Sequence, residues 1–294
     1  MTRRPTYPSD TSDEEWAILG PLIPAPRLGG RPAHVVRRDI VDAIFYVKRG
    51  GVSWRMLPAD FPHWKTVYDY FRQWNKSGLW ARVNDALRVR TREGLGRNAV
   101  PTAGIVDSRS VKTSPTRGVR GYDGGKKVNG RKHHLIVDTQ GLLLGVKVLP
   151  ANITDREGSQ QLLQELRQNQ PQMKLHLFAD GGYKGKWEGW VKTTLGYSVE
   201  IVQRSDANTR GYWLPQGQEL TEEQIKTFRG HRGFVVIKKR WVVERSFAWL
   251  SFDRRLNREY DLLPQTTEAF IFLAFIRCMI RRLAAFAQPT AVSP

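Results

Sequence analysis

The strongest constraint on this 294-residue chain is an alternation of strand-like and helix-like segments that begins near Thr102. Ala103 to Asp107 is a short apolar run. His133 to Val137 and Leu142 to Leu149 flank Asp138-Thr-Gln-Gly141, a hairpin turn signal. A helix is expected at about Arg156 to Gln168, with Asp155 or Thr154 as its cap. Strand Lys174 to Ala179, a Gly181-Gly182 turn, a helix near Trp187 to Thr194 and strand Tyr197 to Gln203 follow. After a polar, glycine-containing insertion at about 204–236, Arg240 to Leu250 reads as a helix, and Ala269 to Leu283 as an apolar one ending in Arg281-Arg282.

The order β-β-β-α-β-α-β-α is that of a ribonuclease-H-like domain, an antiparallel start feeding a mixed sheet with covering helices. The residues before it are patterned differently. Ser12-Asp-Glu-Glu15 is a capping box, and Trp16, Leu19 and Leu22 follow it. Val36, Ile40, Ile44 and Val47 recur at helical spacing up to Gly50-Gly51. Trp64, Val67, Tyr68, Phe71 and Trp74 mark a third helix, and Trp80, Val83 and Leu87 a fourth. Short helices joined by tight turns, with Lys65, Arg72 and Lys76 near the third, fit a helix-turn-helix-like module; a purely structural bundle is the alternative. The expected division is therefore an all-α domain over 1–98 and an α/β domain over 99–288, the latter carrying the insertion at about 204–236.

Forty-seven Lys and Arg against 28 Asp and Glu give a net charge of +19, which selects a polyanionic partner and by itself no reaction. The lone Cys278 excludes an intramolecular disulfide and a cysteine-rich zinc site. The longest apolar run, Ala269 to Ile280, is interrupted by Arg277 and too short to span a bilayer, and no signal peptide is visible, so a cytoplasmic protein is expected.

Against that basic background three acids stand out. Asp107 and Asp180 close apolar strands, and Glu244 sits on the later helix. Two strand ends and a helix can bring their carboxylates together, and oxygen-only ligands suit Mg²⁺, or Mn²⁺ in its place. Two such ions roughly 4 Å apart align a nucleophile and a leaving oxygen in phosphodiester cleavage. Lys112, Lys126, Lys127, Arg131 and Lys132 flank the first acid and the next strand, where they hold DNA phosphates or form a solvated strand edge. His133 and His134 point to opposite faces of their strand.

The motifs around these residues resemble bacterial insertion-sequence transposases of the DDE type, of the insertion-sequence-four and -five superfamily and nearest to its five family. Asp107-Ser-Arg-Ser-Val-Lys112 resembles the first-Asp motif, Val128-Asn-Gly-Arg-Lys-His-His-Leu-Ile-Val-Asp138 the second and third strands, Ala179-Asp-Gly-Gly-Tyr-Lys184 the second-Asp motif and Arg240-Trp-Val-Val-Glu-Arg245 the Glu motif. Thr11-Ser-Asp-Glu-Glu-Trp16 and Val52-Ser-Trp-Arg-Met-Leu-Pro58 resemble the family's N-terminal DNA-binding domain.

The resemblance implies two metal ions on Asp107, Asp180 and Glu244, binding of terminal inverted repeats, cleavage at the element ends and transfer of a 3′-hydroxyl strand into target DNA. It further implies a homodimer in the synaptic complex, action at the bacterial nucleoid, and DNA contacts from Lys184 and Arg240. The chain departs from the pattern at Ile237, where Tyr is usual, and at Ser251, where a phosphate-binding Lys is usual. Arg254 or Arg255, next on the helix if it continues, is the expected substitute. A non-catalytic DNA-binding protein and a nuclease without strand transfer are the rival readings. Trp187, Trp190 and Trp213 are core residues or stacking platforms for an unpaired base. Asp138 and Asp155 read as structural, and Asp123 as part of a glycine-rich loop near DNA.

Overall fold

The first three substantial strands lie antiparallel. In this computed structural model, which describes residues 6–25, 35–115, 118–202 and 240–287, β1 (Ala103–Lys112) pairs with β3 (Val128–Val137) from Ile105 opposite Val137 to Lys112 opposite Gly130. Strand β4 (Leu143–Pro150) takes the other edge of β3, and the short β2 (Gly121–Asp123) continues that edge beyond it. Strand β5 (His176–Asp180) lies parallel to β1, and β6 (Ser198–Val202) parallel to β5. Among the described residues the order β4-β3-β1-β5-β6, antiparallel on one side of β1 and parallel on the other, is the ribonuclease-H-like arrangement.

Two strands run longer than their apolar patterns. The first continues past Asp107 to Lys112, and the third starts at Val128 rather than His133. The cause is mutual pairing: the polar stretch Ser108–Lys112 is held as a strand by β3, and Gly130 allows the close approach, since a Cβ there would sit 1.9 Å from the Val111 carbonyl oxygen.

Helix α5 (Asp155–Asn169) bridges β4 and β5; α6 (Lys186–Trp190), extended by a wide turn over Val191–Leu195, bridges β5 and β6. Thr154 caps α5 in a capping box with Glu157. Strand alternation then sorts the side chains. Val106, Ile136, Leu177 and Ala179 pack against α5 and α6 through Leu162, Leu163, Trp187 and Val191. Ile105, Leu135, Val137 and Phe178 face the other way, toward Val242, Val243 and Phe247 of α7 (Arg240–Ser251) and the apolar side of α8 (Pro264–Ala287).

The N-terminal helices are α1 (Asp13–Leu19), α2 (Arg37–Gly50), α3 (Trp64–Lys76) and α4 (Leu79–Gly94). Gly51 ends α2 in the left-handed region at φ 72°, and Ser12 and Glu15 form the expected capping box on α1. These helices share one continuous apolar core with α8. Phe71 stacks on Phe270 at 4.9 Å, and the buried ion pair Lys48–Asp253 and the partly buried Arg277–Glu15, both at 2.6 Å, tie α1 and α2 to the C-terminal segment. Packing thus runs across the boundary expected near residue 98. No helix among the described residues is long and apolar enough to cross a membrane. The 204–236 insertion, Trp213, Ile237 and the side chain of Arg240 lie outside the described residues.

Candidate functional site

Asp107 and Asp180 meet because of strand register. Ile105 stands opposite Phe178 in the parallel β1–β5 ladder, and each aspartate lies two residues further along its own strand. A step of two keeps a side chain on the same face, so both carboxylates share the α7 side of the sheet. Together with Ile105, Phe178, Val202 and Val243 they line one cleft. Asp107 is not the last residue of its strand, a correction to the sequence reading; it stands where the partner strand ends, since β5 stops at Asp180. Asp107 Oδ1 accepts the Ser108 amide at 2.7 Å, and Asp180 Oδ1 accepts the Gly182 amide at 2.9 Å.

Tyr183 is buried next to this pair, and its hydroxyl is pushed well above the usual phenol range, by burial first and then by Asp107, Asp155 and Asp180. Three aspartates therefore act on one point. Glu244 is an exposed residue of α7, next in sequence to Val243 in the cleft wall. Among the described residues no three His, Cys, Asp or Glu side chains are gathered closely enough to hold a metal ion. The donors at the cleft are carboxylate oxygens alone, the set that hard divalent cations take.

A second polar network occupies the α5 side of β1. Ser108 Oγ donates to Asp155 Oδ1 at 2.7 Å, and Lys132 Nζ lies 2.8 Å from Asp155 and 3.4 Å from Asp123. Ser110 Oγ donates to Asp123 Oδ2 at 2.5 Å. Burial disfavours the Asp123 carboxylate, but the Ser110 hydroxyl, the Lys126 amide and the Lys132 ammonium outweigh it and bring its pKa down to about 2. Asp123 is thus anchored in β2, and Asp155 is more than a helix start, since Thr154 is the cap. Burial lowers the pKa of His134 to about 3, so this ring is neutral at physiological pH. His133, on the opposite face, pairs with Glu259 at 2.5 Å. The capping pattern at residues 154–157 hides Asp155 in the sequence, and nothing in the sequence marks Tyr183 except its place in the second-Asp motif.

The expected DNA contacts divide by burial. Lys112, Lys126, Lys127, Lys184 and Arg254 are exposed. Three are not, and each corrects the sequence reading. Arg131 is fully buried, paired with Glu259 and donating to the carbonyls of Val119, Asp261 and Leu262. The buried Lys132 neutralises Asp123 and Asp155. Arg255 pairs with Asp261 at 2.7 Å, donates to the Val52 carbonyl at 2.8 Å and covers the Phe270 ring. Helix α7 ends at Ser251 and Arg254–Leu256 forms a separate turn, so Arg255 does not extend the face that carries Glu244. Arg255→Ala is expected to lower stability by about 1–3 kcal/mol in urea unfolding, leaving DNA affinity intact once the variant is folded. Trp187 is likewise core, its indole N–H donating to Ser159 Oγ at 2.8 Å, while Trp190 is partly buried.

Fold and cleft together define a ribonuclease-H-like domain with an acidic centre, set in a strongly basic chain. Residues 98–279 match the family model of the transposase DDE domain, and residues 11–84 match that of an IS4/5-family transposase. The chain belongs to the IS4/5-family DDE transposases. No curated protein matches it. Among solved structures the Mos1 strand transfer complex aligns at 12% identity over 90% of this chain and 82% of that one, with a TM-score of 0.25, too slight a likeness to bear on mechanism.

Proposed function

We propose that this chain is an active transposase that binds the terminal inverted repeats of its insertion sequence, cuts the element ends and joins the freed 3′-hydroxyl strands to target DNA. The observation that carries this reading is the placing of Asp107 and Asp180 in one cleft, where β5 ends beside the middle of β1. Asp107, Asp180 and Glu244 would hold two Mg²⁺, with Mn²⁺ able to replace them. Bound there, the ions supply charge compensation at phosphorus and activation of the attacking oxygen.

The chain's own residues do the rest. Lys126, Lys127, Lys184 and Lys112 offer exposed ammonium groups to backbone phosphates near the cleft, the exposed Arg254 offers a guanidinium from the turn after α7, and Arg240 is assigned a DNA contact from the family motif alone. Residues 1–98, through the exposed Lys65, Arg72 and Lys76 of α3, read the repeats, and residues 99–288 carry the chemistry. Water first adds to the phosphorus at the element end, and the P–O3′ bond breaks to release a 3′-hydroxyl. That hydroxyl then attacks a target phosphate, forming a new P–O bond and displacing the target 3′-oxygen. Two ends meet one target, so a homodimer acts in the synaptic complex, in the bacterial cytoplasm at the nucleoid.

The test is purified protein with Mg²⁺, labelled repeat-end DNA and a target plasmid. Joined products are expected. Binding without cutting, which would accord with Ser251 in place of Lys, would make the chain a non-catalytic DNA-binding protein. Cutting without joining would make it a nuclease.

A further inference from the structure

Helix α7 has a second functional edge. Trp241, Arg245 and Trp249 recur every four residues and so form a row along one side of it. The Arg245 guanidinium carbon lies 4.5 Å from the Trp241 ring centroid and 5.0 Å from that of Trp249, and Arg282 of α8 reaches the Trp249 ring at 4.7 Å. The row is fixed at its base, because Arg245 Nη2 donates to the Gln140 carbonyl at 3.0 Å and Ser246 Oγ to that of Gly141 at 3.1 Å, both in the β3–β4 turn. At its far end Trp249 and Phe252 continue into a cleft rimmed by Arg49 and Arg281.

This row carries two cations without a direct carboxylate partner among the described residues. Among the described residues neither Arg245 nor Arg282 has a carboxylate within salt-bridge distance, whereas the nearby Arg277 and Lys48 pair with Glu15 and Asp253. Burial and then the like charge of Arg282 disfavour the Arg245 cation, only partly offset by the Asp138 carboxylate, so an anion arriving here is favoured. Stacking on indole holds a guanidinium plane in place; with Arg245 Nη2 held by the Gln140 carbonyl and its Nε buried, Nη1 is the donor Arg245 presents to a phosphate, beside the stacked Arg282 guanidinium. Base stacking is a poorer fit, because two guanidinium groups already contact the Trp249 ring.

We propose that Trp241, Arg245, Trp249 and Arg282 form a clamp for the phosphate backbone of duplex DNA, on the edge of α7 that borders Glu244. The clamp rests on the reading that DNA is the partner, and it adds a surface that the lysines around the cleft do not supply. It reads no sequence and sets the path of the duplex across the helix.

The test measures binding of the full chain to an arbitrary 30-base-pair duplex, a length chosen as roughly three helical turns, across a salt series. The Arg245→Gln/Arg282→Gln variant is expected to bind about 10-fold or more weakly and to lose about two units of the slope of log K against log salt. Arg282→Lys should keep the slope while losing part of the affinity, which separates charge from stacked geometry. Circular dichroism on each variant, with Arg282→Gln alone as the milder change, guards against misfolding. An unchanged slope in the folded double or single variant overturns the clamp while leaving DNA binding in place. Weakened single-strand binding in Trp241→Ala with the duplex slope intact in both arginine variants also overturns it, in favour of base stacking. A wild-type chain that does not bind duplex at all overturns both the clamp and the proposed function.

Discussion

Asp107→Asn and Asp180→Asn are each expected to lower strand cleavage and joining by about a thousand-fold, the scale on which loss of a charge-stabilising group slows a catalysed reaction. Asparagine keeps the shape of aspartate, and its amide oxygen can still accept the Ser108 or Gly182 N–H, so the backbone at both positions should hold its form. What disappears is one negative charge at the cleft. DNA affinity should then stay level or rise slightly, because a group that repels phosphate has gone. A second readout is independent of turnover. The Tyr183 phenol is raised by burial and by three aspartates, so removing one of them should move its ionisation back toward ordinary phenol values in an alkaline absorbance titration. Full activity in both variants would remove this cleft as the catalytic centre.

The parts of the molecule legible in the sequence are those written in local pattern. The capping box at Ser12, the helical spacing of Trp64 to Trp74, the hairpin at Asp138 and the strand end at Asp180 depend on neighbours a few residues away. The element order was enough to give the sheet, because the β1–β5 pairing follows once the strands are identified. Pattern failed where a distant partner decides. Ser108 to Lys112 lacks an apolar run, yet it is a strand because β3 lies beside it. Arg131, Lys132 and Arg255 look like surface cations until Glu259, Asp155 and Asp261 are seen to enclose them. Arg131 and Glu259 are 128 residues apart, a separation at which no periodicity links them. Charged side chains are seldom fully buried unless paired, so a single sequence that conceals the pairing steers such residues to the surface. In a chain of net charge +19 that error turns structural arginines into imagined DNA contacts.

Glu259 shows how much stability such a pairing can carry. Its Oε1 meets His133 Nε2 at 2.5 Å, and its Oε2 accepts from Arg131 Nη1 at 3.1 Å and Thr267 Oγ1 at 2.7 Å, all four residues being buried. Its backbone also extends the end of β1, with its N–H donating to the Lys112 carbonyl at 3.0 Å and its carbonyl accepting from Ser114 at 2.8 Å. Glu259→Ala leaves the Arg131 cation buried without its counter-charge, and is expected to lower unfolding free energy by about 3–5 kcal/mol in urea titration. Burial raises the Glu259 pKa, but His133, Thr267 and Arg131 together draw it below its ordinary value. A depressed folded pKa means that the stability tied to ionisation is fully present above the unfolded value, near 4.5, and is lost as pH falls through the folded one. The gap between wild type and Glu259→Ala should therefore narrow in acid and stay constant toward neutrality. Arg131→Met combined with Glu259→Leu separates two sources of the loss. If the stranded cation causes it, the apolar pair recovers most of the stability; if the hydrogen bonds to Thr267 and His133 cause it, the double variant stays as weak as Glu259→Ala. A loss below about 1 kcal/mol in Glu259→Ala would mean that water reaches Arg131 and that the network does not hold the C-terminal segment to the sheet.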